Sequence, residues 1–188
     1  TLTAKIDNLR GYTKLPSTLK CYPEIEIVKT GLGVTNSDVA SFNINISPAA
    51  TDGDLMLCFV AGDGAGFDIP SGFTLIEDYQ ESTLTSDLKI GYKIASSEGT
   101  SYTCNRSVAT SECGEGVIIV LRNFKSSCYL QDPNNGTDSD SVTNAAMPTF
   151  TTDYPGTLVF GGVMTGNGGK AARFGKGWVG VYESLTTT

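Results

Sequence analysis

Apolar and polar positions along this chain keep the two-residue rhythm of extended backbone. Phe42, Ile44 and Ile46 fall on one face of a segment, opposite Ser41, Asn43 and Asn45. Leu88, Ile90, Tyr92 and Ile94 likewise share a face opposite Lys89, Gly91 and Lys93. Successive side chains of a strand point to opposite sides, so this alternation predicts antiparallel strands that are half buried. Three further runs do not alternate: 55–61 (LMLCFVA), 117–121 (VIIVL) and 158–160 (LVF). Unbroken apolar runs predict strands covered on both faces. Their second face lies either under a loop or arm of the same chain or against a neighbouring subunit.

Divided at its turn signals, the chain predicts strands over 24–29, 39–46, 54–61, 73–78, 87–95, 101–105, 117–122, 128–131, 148–151, 157–163 and 178–183. No segment carries a helical period. Residues 1–24 are interrupted by Gly11, Pro16 and Pro23 and read as an extended arm. The expected fold is therefore all-β: an antiparallel β-sandwich, jelly-roll-like, over 35–188, preceded by an extended N-terminal arm over 1–34. A weak internal echo fits such a body. The order Asp52-Gly53-Asp54, apolar strand, Gly62-Asp63-Gly64, Gly72-Phe73 returns as Pro155-Gly156-Thr157, apolar strand, Gly166-Asn167-Gly168, Gly177-Trp178. Two such units suit a pseudo-symmetric sandwich and are too few for a solenoid.

Composition agrees and narrows the chemistry. The 188 residues include 22 Gly and 7 Pro, and only 18% are charged, which suits short strands and many turns. The chain has no histidine, so Ser-His-Asp, Cys-His and His-metal sites are excluded. Net charge is −7. Residues 1–34 are mildly basic through Lys5, Arg10, Lys14, Lys20 and Lys29, so the body is strongly acidic and repels phosphate backbones; nucleic acid is not an expected partner. Lys5, Arg10 and Lys14 are candidate contacts to an acidic protein surface, against a plain solvated tail. No run of about 18 apolar residues is present, so no membrane span is expected. The opening Thr1-Leu2-Thr3-Ala4-Lys5 has no apolar stretch of a secretory signal.

Each candidate site has a plainer reading beside it. Acidic loops at 51–54, 63–68 and 132–140 resemble calcium loops in composition. None has the spacing of a helix–loop–helix site, and Asp, Asn and Gly occupy hairpin ends for backbone reasons. Carboxylates are plentiful, but no pair is marked as a glycosidase couple. Gly166–Lys170 lacks the first glycine and the Ser or Thr of a phosphate loop. That stretch reads as a locally basic tip with Lys170, Arg173 and Lys176 as candidate partner contacts. Phe73 and Trp178 read as core corners, whereas Phe67 and Tyr79 are freer candidates for surface contact. Five cysteines at 21, 58, 104, 113 and 128 form no CxxC. Cys58 reads as a small buried hydrophobe; Cys104 and Cys113 flank a possible hairpin, with free thiols the favoured alternative to their pairing. Sequons at Asn45, Asn105 and Asn135 read as chance matches in a chain rich in Asn, Ser and Thr. No cofactor is expected.

The segments Asp52-Gly53-Asp54-Leu55, Pro70-Ser71-Gly72-Phe73-Thr74, Leu88–Ala95 and Gly116–Phe124, with Pro155-Gly156-Thr157-Leu158, together resemble a β-sandwich domain that recurs in tailed-bacteriophage structural proteins. The likeness covers roughly residues 35–185. In that group a strand follows an Asp-Gly pair, a Pro-x-Gly-(Trp/Phe)-Thr turn leads to the next, and a later strand ends near Tyr-Arg-Gly. Here Leu121-Arg122-Asn123 stands in the last place, and the chain stops soon after Trp178. The resemblance implies a non-enzymatic virion component made in a bacterial cytoplasm: a capsid decoration, a head fibre or a fibre module. Its implied partners are other capsid or tail proteins and further copies of itself, three being the common number. A host-surface glycan- or receptor-binding adhesion module is the alternative, reading its ligand through loops 62–72, 132–147 and 165–177.

Overall fold

The computed structural model describes residues 25–35, 39–62, 66–80, 87–106 and 114–124. Among them the fold is all-β, with no helix. Seven strands run β1 Glu26–Thr35, β2 Ser41–Asn45, β3 Leu55–Gly62, β4 Thr74–Gln80, β5 Asp87–Ile94, β6 Ser101–Asn105 and β7 Gly114–Arg122. They form one sheet of order β4-β5-β3-β7-β1-β2-β6, with every pairing antiparallel. The expected strands at 128–131, 148–151, 157–163 and 178–183 lie outside the described residues.

The sheet is curled. β5 and β6 stand five positions apart, about 24 Å in a flat sheet at ~4.8 Å per strand. The link between Ile94 and Ser101 would only just reach that far if fully stretched, at about 3.4 Å per residue. It is instead folded around Ser97 at φ 54°, so β6 has come round toward β5. The ring contacts agree: Tyr102 of β6 lies 5.9 Å, edge-on, from Phe73 at the entrance to β4.

Glycines permit the curl. β2 neighbours β1 in the sheet, yet it folds back over the inner face of both β1 and β7. A Cβ on Gly33 would strike the Asn43 carbonyl oxygen and stand 2.9 Å from the Phe42 ring. A Cβ on Gly31 would strike Ile46 and lie 2.7 Å from the Asn45 oxygen. On β7 a Cβ at Gly116 would meet Ile44 at 2.5 Å, and one at Gly114 would strike Phe67. Gly33 pairs with Gly116 across the β1–β7 ladder, so the four positions make a bare patch on the concave face.

Inside the curl, Phe42, Ile44, Ile46, Met56, Cys58, Val60, Phe67, Tyr102, Cys104, Ile118 and Val120 form the main core. The alternation read in β2 holds: Phe42 and Ile44 are buried while Ser41, Asn43 and Asn45 face out. On the convex face Leu55, Leu57, Ile119 and Leu121 form a second cluster, 2–5% exposed within a single chain, flanked by Ile25, Phe59, Tyr92, Val117 and Phe124. The first two unbroken runs are thus covered on both faces, as expected. The third, 158–160, lies outside the described residues.

Two expectations are corrected. The arm was expected to extend to residue 34, but β1 runs from Glu26 to Thr35 and pairs with β7 along its length; the boundary falls inside an interior strand. Gly31 and Gly33, beyond the expected strand at 24–29, continue β1 beneath β2. In β5, Leu88, Ile90, Tyr92 and Ile94 do share a face, but it is the convex one, because Tyr92 opposes Leu57 and Ile94 opposes Leu55. Lys89, Gly91 and Lys93 point into the concave side with Val60, Cys58 and Met56. Segment 66–73 covers them there, with Ile69 and Phe73 packed at Gly91.

Replacing Gly33 with Ala should therefore cost about 3 kcal/mol or more, since the new methyl meets backbone that cannot yield. Gly99, which has nothing within 4 Å of its would-be Cβ, should accept Ala within about 0.5 kcal/mol. Urea denaturation of both variants checks this; equal losses would contradict the close-crossing account.

Candidate functional site

Three polar assemblies tie the curled sheet together. The first stands where β2 passes to β3. Asp54, buried, accepts Arg122 Nε on Oδ1 at 2.9 Å and Arg122 Nη2 on Oδ2 at 2.9 Å. Thr51 N–H donates to Oδ2 at 3.0 Å, and Arg122 Nη2 also donates to Thr51 Oγ1 at 2.9 Å. Gly53, at φ 89°, makes the turn, and Gly53 N–H and Ala95 N–H bond across to Ala95 and Asp54 carbonyls. Lys29 Nζ donates to the Pro48 and Ala49 carbonyls at 2.6 Å each, beside a cis Ser47–Pro48 bond. Hydrogen bonding to Arg122 holds the Asp54 carboxyl below its ordinary range, against the cost of burial.

The second assembly centres on Glu98 in the β5–β6 link. It accepts Lys93 Nζ at 2.9 Å, Ser96 N–H at 3.0 Å and the Tyr102 hydroxyl at 2.9 Å. Burial pushes this carboxyl up, but Lys93, Ser96 and Tyr102 together outweigh it and leave it lowered. Lys93 also lies 5.7 Å over the Phe73 ring. The third closes the gap between β6 and β5. Phe67 bridges to Arg106, and Asp68 N–H donates to the Asn105 carbonyl at 2.7 Å. The Phe67 ring sits 4.8 Å from Phe42, edge-on, and beneath the Arg106 guanidinium at 4.8 Å. Lys89 Nζ holds Asp68 at 2.7 Å and Asp78 at 3.8 Å.

The two described thiols are inert by environment. Burial pushes Cys58 far up and Cys104 up to about 12, so neither supplies a thiolate at neutral pH. Both are free, so the pairing weighed for Cys104 is not formed. Burial, with Glu98 beside it, also raises the Tyr102 hydroxyl. Among the described residues no group of three or more His, Cys, Asp or Glu is placed to hold a metal ion.

The candidate contacts read from sequence fare unevenly. Phe67 is corrected: at 1% exposure it is a core residue. The glycines around it, which resemble a loose loop in the sequence, clear the space its ring fills. Tyr79 lies in β4, with its side chain outside the described residues, and Lys5, Arg10, Lys14, Lys170, Arg173 and Lys176 all lie outside them. Phe73 is a core corner, as read, half-buried against the main cluster. Asp52 and Asp54 do turn chemistry: Asp52 Oδ1 accepts Ser97 N–H at 2.7 Å. Sequence reading missed the partnership of Asp54 with Arg122, 68 residues apart, and the burial of Asp87. The only local signal for the latter was an acidic residue opening an otherwise apolar alternating strand.

Among the described residues, large apolar side chains are exposed at the rim of the convex face and at Leu75 of β4. Ile27, Leu32 and Val34 of β1 and Ile94 of β5 are 38–43% exposed around the buried centre. Comparisons with protein-family models, curated proteins and solved structures find no match to this chain.

Asp54→Ala should cost about 1–3 kcal/mol at pH 7, because it strands the Thr51 N–H and the guanidinium. Since the folded carboxyl titrates below the ordinary 3.8 of an aspartate, its contribution is present above that pH and is lost as pH falls through the lowered value. Urea midpoints from pH 7 down to pH 3 should show the variant and the parent converging.

Proposed function

We propose that this chain is a non-enzymatic structural protein of a bacteriophage virion, a capsid decoration, head fibre or fibre module, seated on the particle partly by the residues ahead of Ile25. The observation that carries the reading is the structural role of the segments that resemble phage sandwich domains. Asp52-Gly53-Asp54 opens β3, Pro70-Ser71-Gly72 turns into β4 with Gly72 at φ 87°, and Arg122 closes β7 on Asp54. Asn123, standing where the related pattern has Gly, adopts φ 63°; Asn is the side-chain-bearing residue best suited to that conformation. The motifs support architecture at every described position.

The complete body is a two-layered sandwich. Its second layer packs on the convex face of β5, β3, β7 and β1. The support is that this face is apolar along four strands, that its centre is already buried within one chain, and that Phe124 leaves β7 on that side. The virion component works as a homo-oligomer of three copies, which meet along the exposed rim at Ile27, Leu32 and Val34. A second reading, a glycan- or receptor-binding adhesion module, draws on the outer side of β2 and β6. There Ser41, Asn43, Asn45, Ser101, Thr103 and Asn105 form an exposed, uncharged ladder of hydrogen-bonding groups, with Thr103 Oγ1 and Asn43 Oδ1 2.8 Å apart.

A density map of the intact particle should place the chain on the outer surface of head or tail. Deleting residues 1–24 should leave a soluble β protein that no longer joins particles; normal incorporation would contradict the anchoring role. A glycan array and a cell-adsorption assay on the full chain separate the readings, with binding lost on Asn43→Ala supporting the adhesion module. Sedimentation equilibrium should give three copies, reduced to one by Leu32→Asp; a monomeric parent would remove the oligomer from the proposal.

A further inference from the structure

Asp87 is the one described carboxyl held inside the fold without a full set of partners. It opens β5, faces the concave side, and is 4% exposed. Its neighbours there are Gly62 of β3 and, across the curl, Gly66. A Cβ on Gly66 would fall on the Asp87 carboxyl itself, and one on Gly62 would stand 3.0 Å from Oδ1. Two glycines thus let backbone close over an acid. The Gly62 N–H donates to the carboxyl, while Oδ1 has no hydrogen-bond partner.

The surrounding charges do not make up the deficit. Lys89, two residues along β5, directs its ammonium to Asp68 and Asp78. Those two carboxylates, on the 66–73 segment and on β4, add negative potential at Asp87. Opposite, Gly62 and Gly114 carry no charge, and the Arg106 guanidinium is occupied over the Phe67 ring. An ionised carboxylate in such a place bears a desolvation penalty that the neutral acid does not.

The backbone over Asp87 leads directly into Phe67, the plug of the curled sheet. β5 is held by ladders on both sides, to β3 and β4. Residues 66–68 belong to no ladder; besides the contacts of Gly66, they are held by the isolated Phe67–Arg106 bridge, the Asp68 amide bond to Asn105, the Asp68–Lys89 ion pair and the buried ring. Of the elements that enclose Asp87, this segment is the one with least to break.

We propose that Asp87 is a proton-operated latch on the Phe67 plug: the neutral acid lets residues 66–68 seat, and ionisation favours their release. The sign follows from linkage. Burial, opposed in part by Lys89, pushes the closed-state carboxyl up to about 6 from 3.8, while an opened, hydrated Asp87 titrates as an ordinary carboxylate. The closed plug is therefore fully secured below pH 4, loosens through the interval up to about pH 6, and changes little above it.

Amide hydrogen exchange of the full chain tests this at a single bond. The Asp68 N–H, bonded to the Asn105 carbonyl, reports the plug; the Ile46 N–H, bonded to the Thr100 carbonyl, reports the rest of the sheet. After correction for intrinsic exchange, the opening constant at Asp68 should rise about tenfold between pH 5 and pH 7, and that at Ile46 should not. In Asp87→Asn the rise should vanish. A rise that persists in the variant, or a flat profile in the parent, overturns the latch. Carbon-13 titration of the Asp87 carboxyl needs no variant: a midpoint near 6 supports the proposal, and one below 4.5 refutes it.

Discussion

Close contact between bare backbones governs this fold. Gly31 and Gly33 on β1, with Gly114 and Gly116 on β7, clear a patch of the concave face on which β2 lies directly. Side chains on both partners would hold two packed layers about 10 Å apart; without them β2 drops close enough for Phe42 and Ile44 to fill the space the glycines leave. Once β2 is there, β6 follows by its ladder, Tyr102 reaches Met56 and Phe73, and the Phe67 ring finds its slot beside Gly114. Core, curl and plug all depend on four missing methyl groups.

Buried polar groups in this sheet act as long-range ties. Asp54 joins the β2–β3 corner to the end of β7, and Glu98 joins β5 to β6 through Lys93 and Tyr102. The first locks the end of the β3–β7 ladder to the corner, the second ties strands that only the curl brings near, and each carboxylate has enough donors to remain ionised. Asp87 differs in kind. Its neighbours are glycines and two other acids, and the one nearby ammonium is shared. Two carboxylates are thus satisfied, and among the described acids the third is left short of partners.

A scaffold of this sort suits work done by contact. Cys58 and Cys104 are buried with raised thiols, Asp54 and Glu98 serve as ties, and the exposed groups include a neutral polar ladder on one side and an apolar rim on the other. The Asp52-Gly53-Asp54 and Pro70-Ser71-Gly72 segments and Arg122-Asn123 fall on turns and strand ends, where they specify shape. The arrangement is the basis of the virion-surface reading and of its adhesion alternative.

Much of the strand content was legible in the chain. Alternation at 41–46 and the unbroken run at 55–61 lead to β2 and β3 with the expected burial, because a strand's period is a local property. Alternation in β5 told which side chains share a face. Which face lies inside was decided by segment 66–73 and by pairing with β3, neither of which is local. Gly31 and Gly33 fall past the expected strand at 24–29, Gly114 and Gly116 ahead of the one at 117–122, and Phe67 read as a surface contact. Their meaning depends on β2 and β7, far off in sequence, and a missing side chain leaves no periodic signal of what occupies its place. The sequence by itself determined where the backbone extends and which side chains stand together; tertiary contact decided which side is core, which glycines are crossings and which acid goes without partners, since each of those rests on what lies across the sheet.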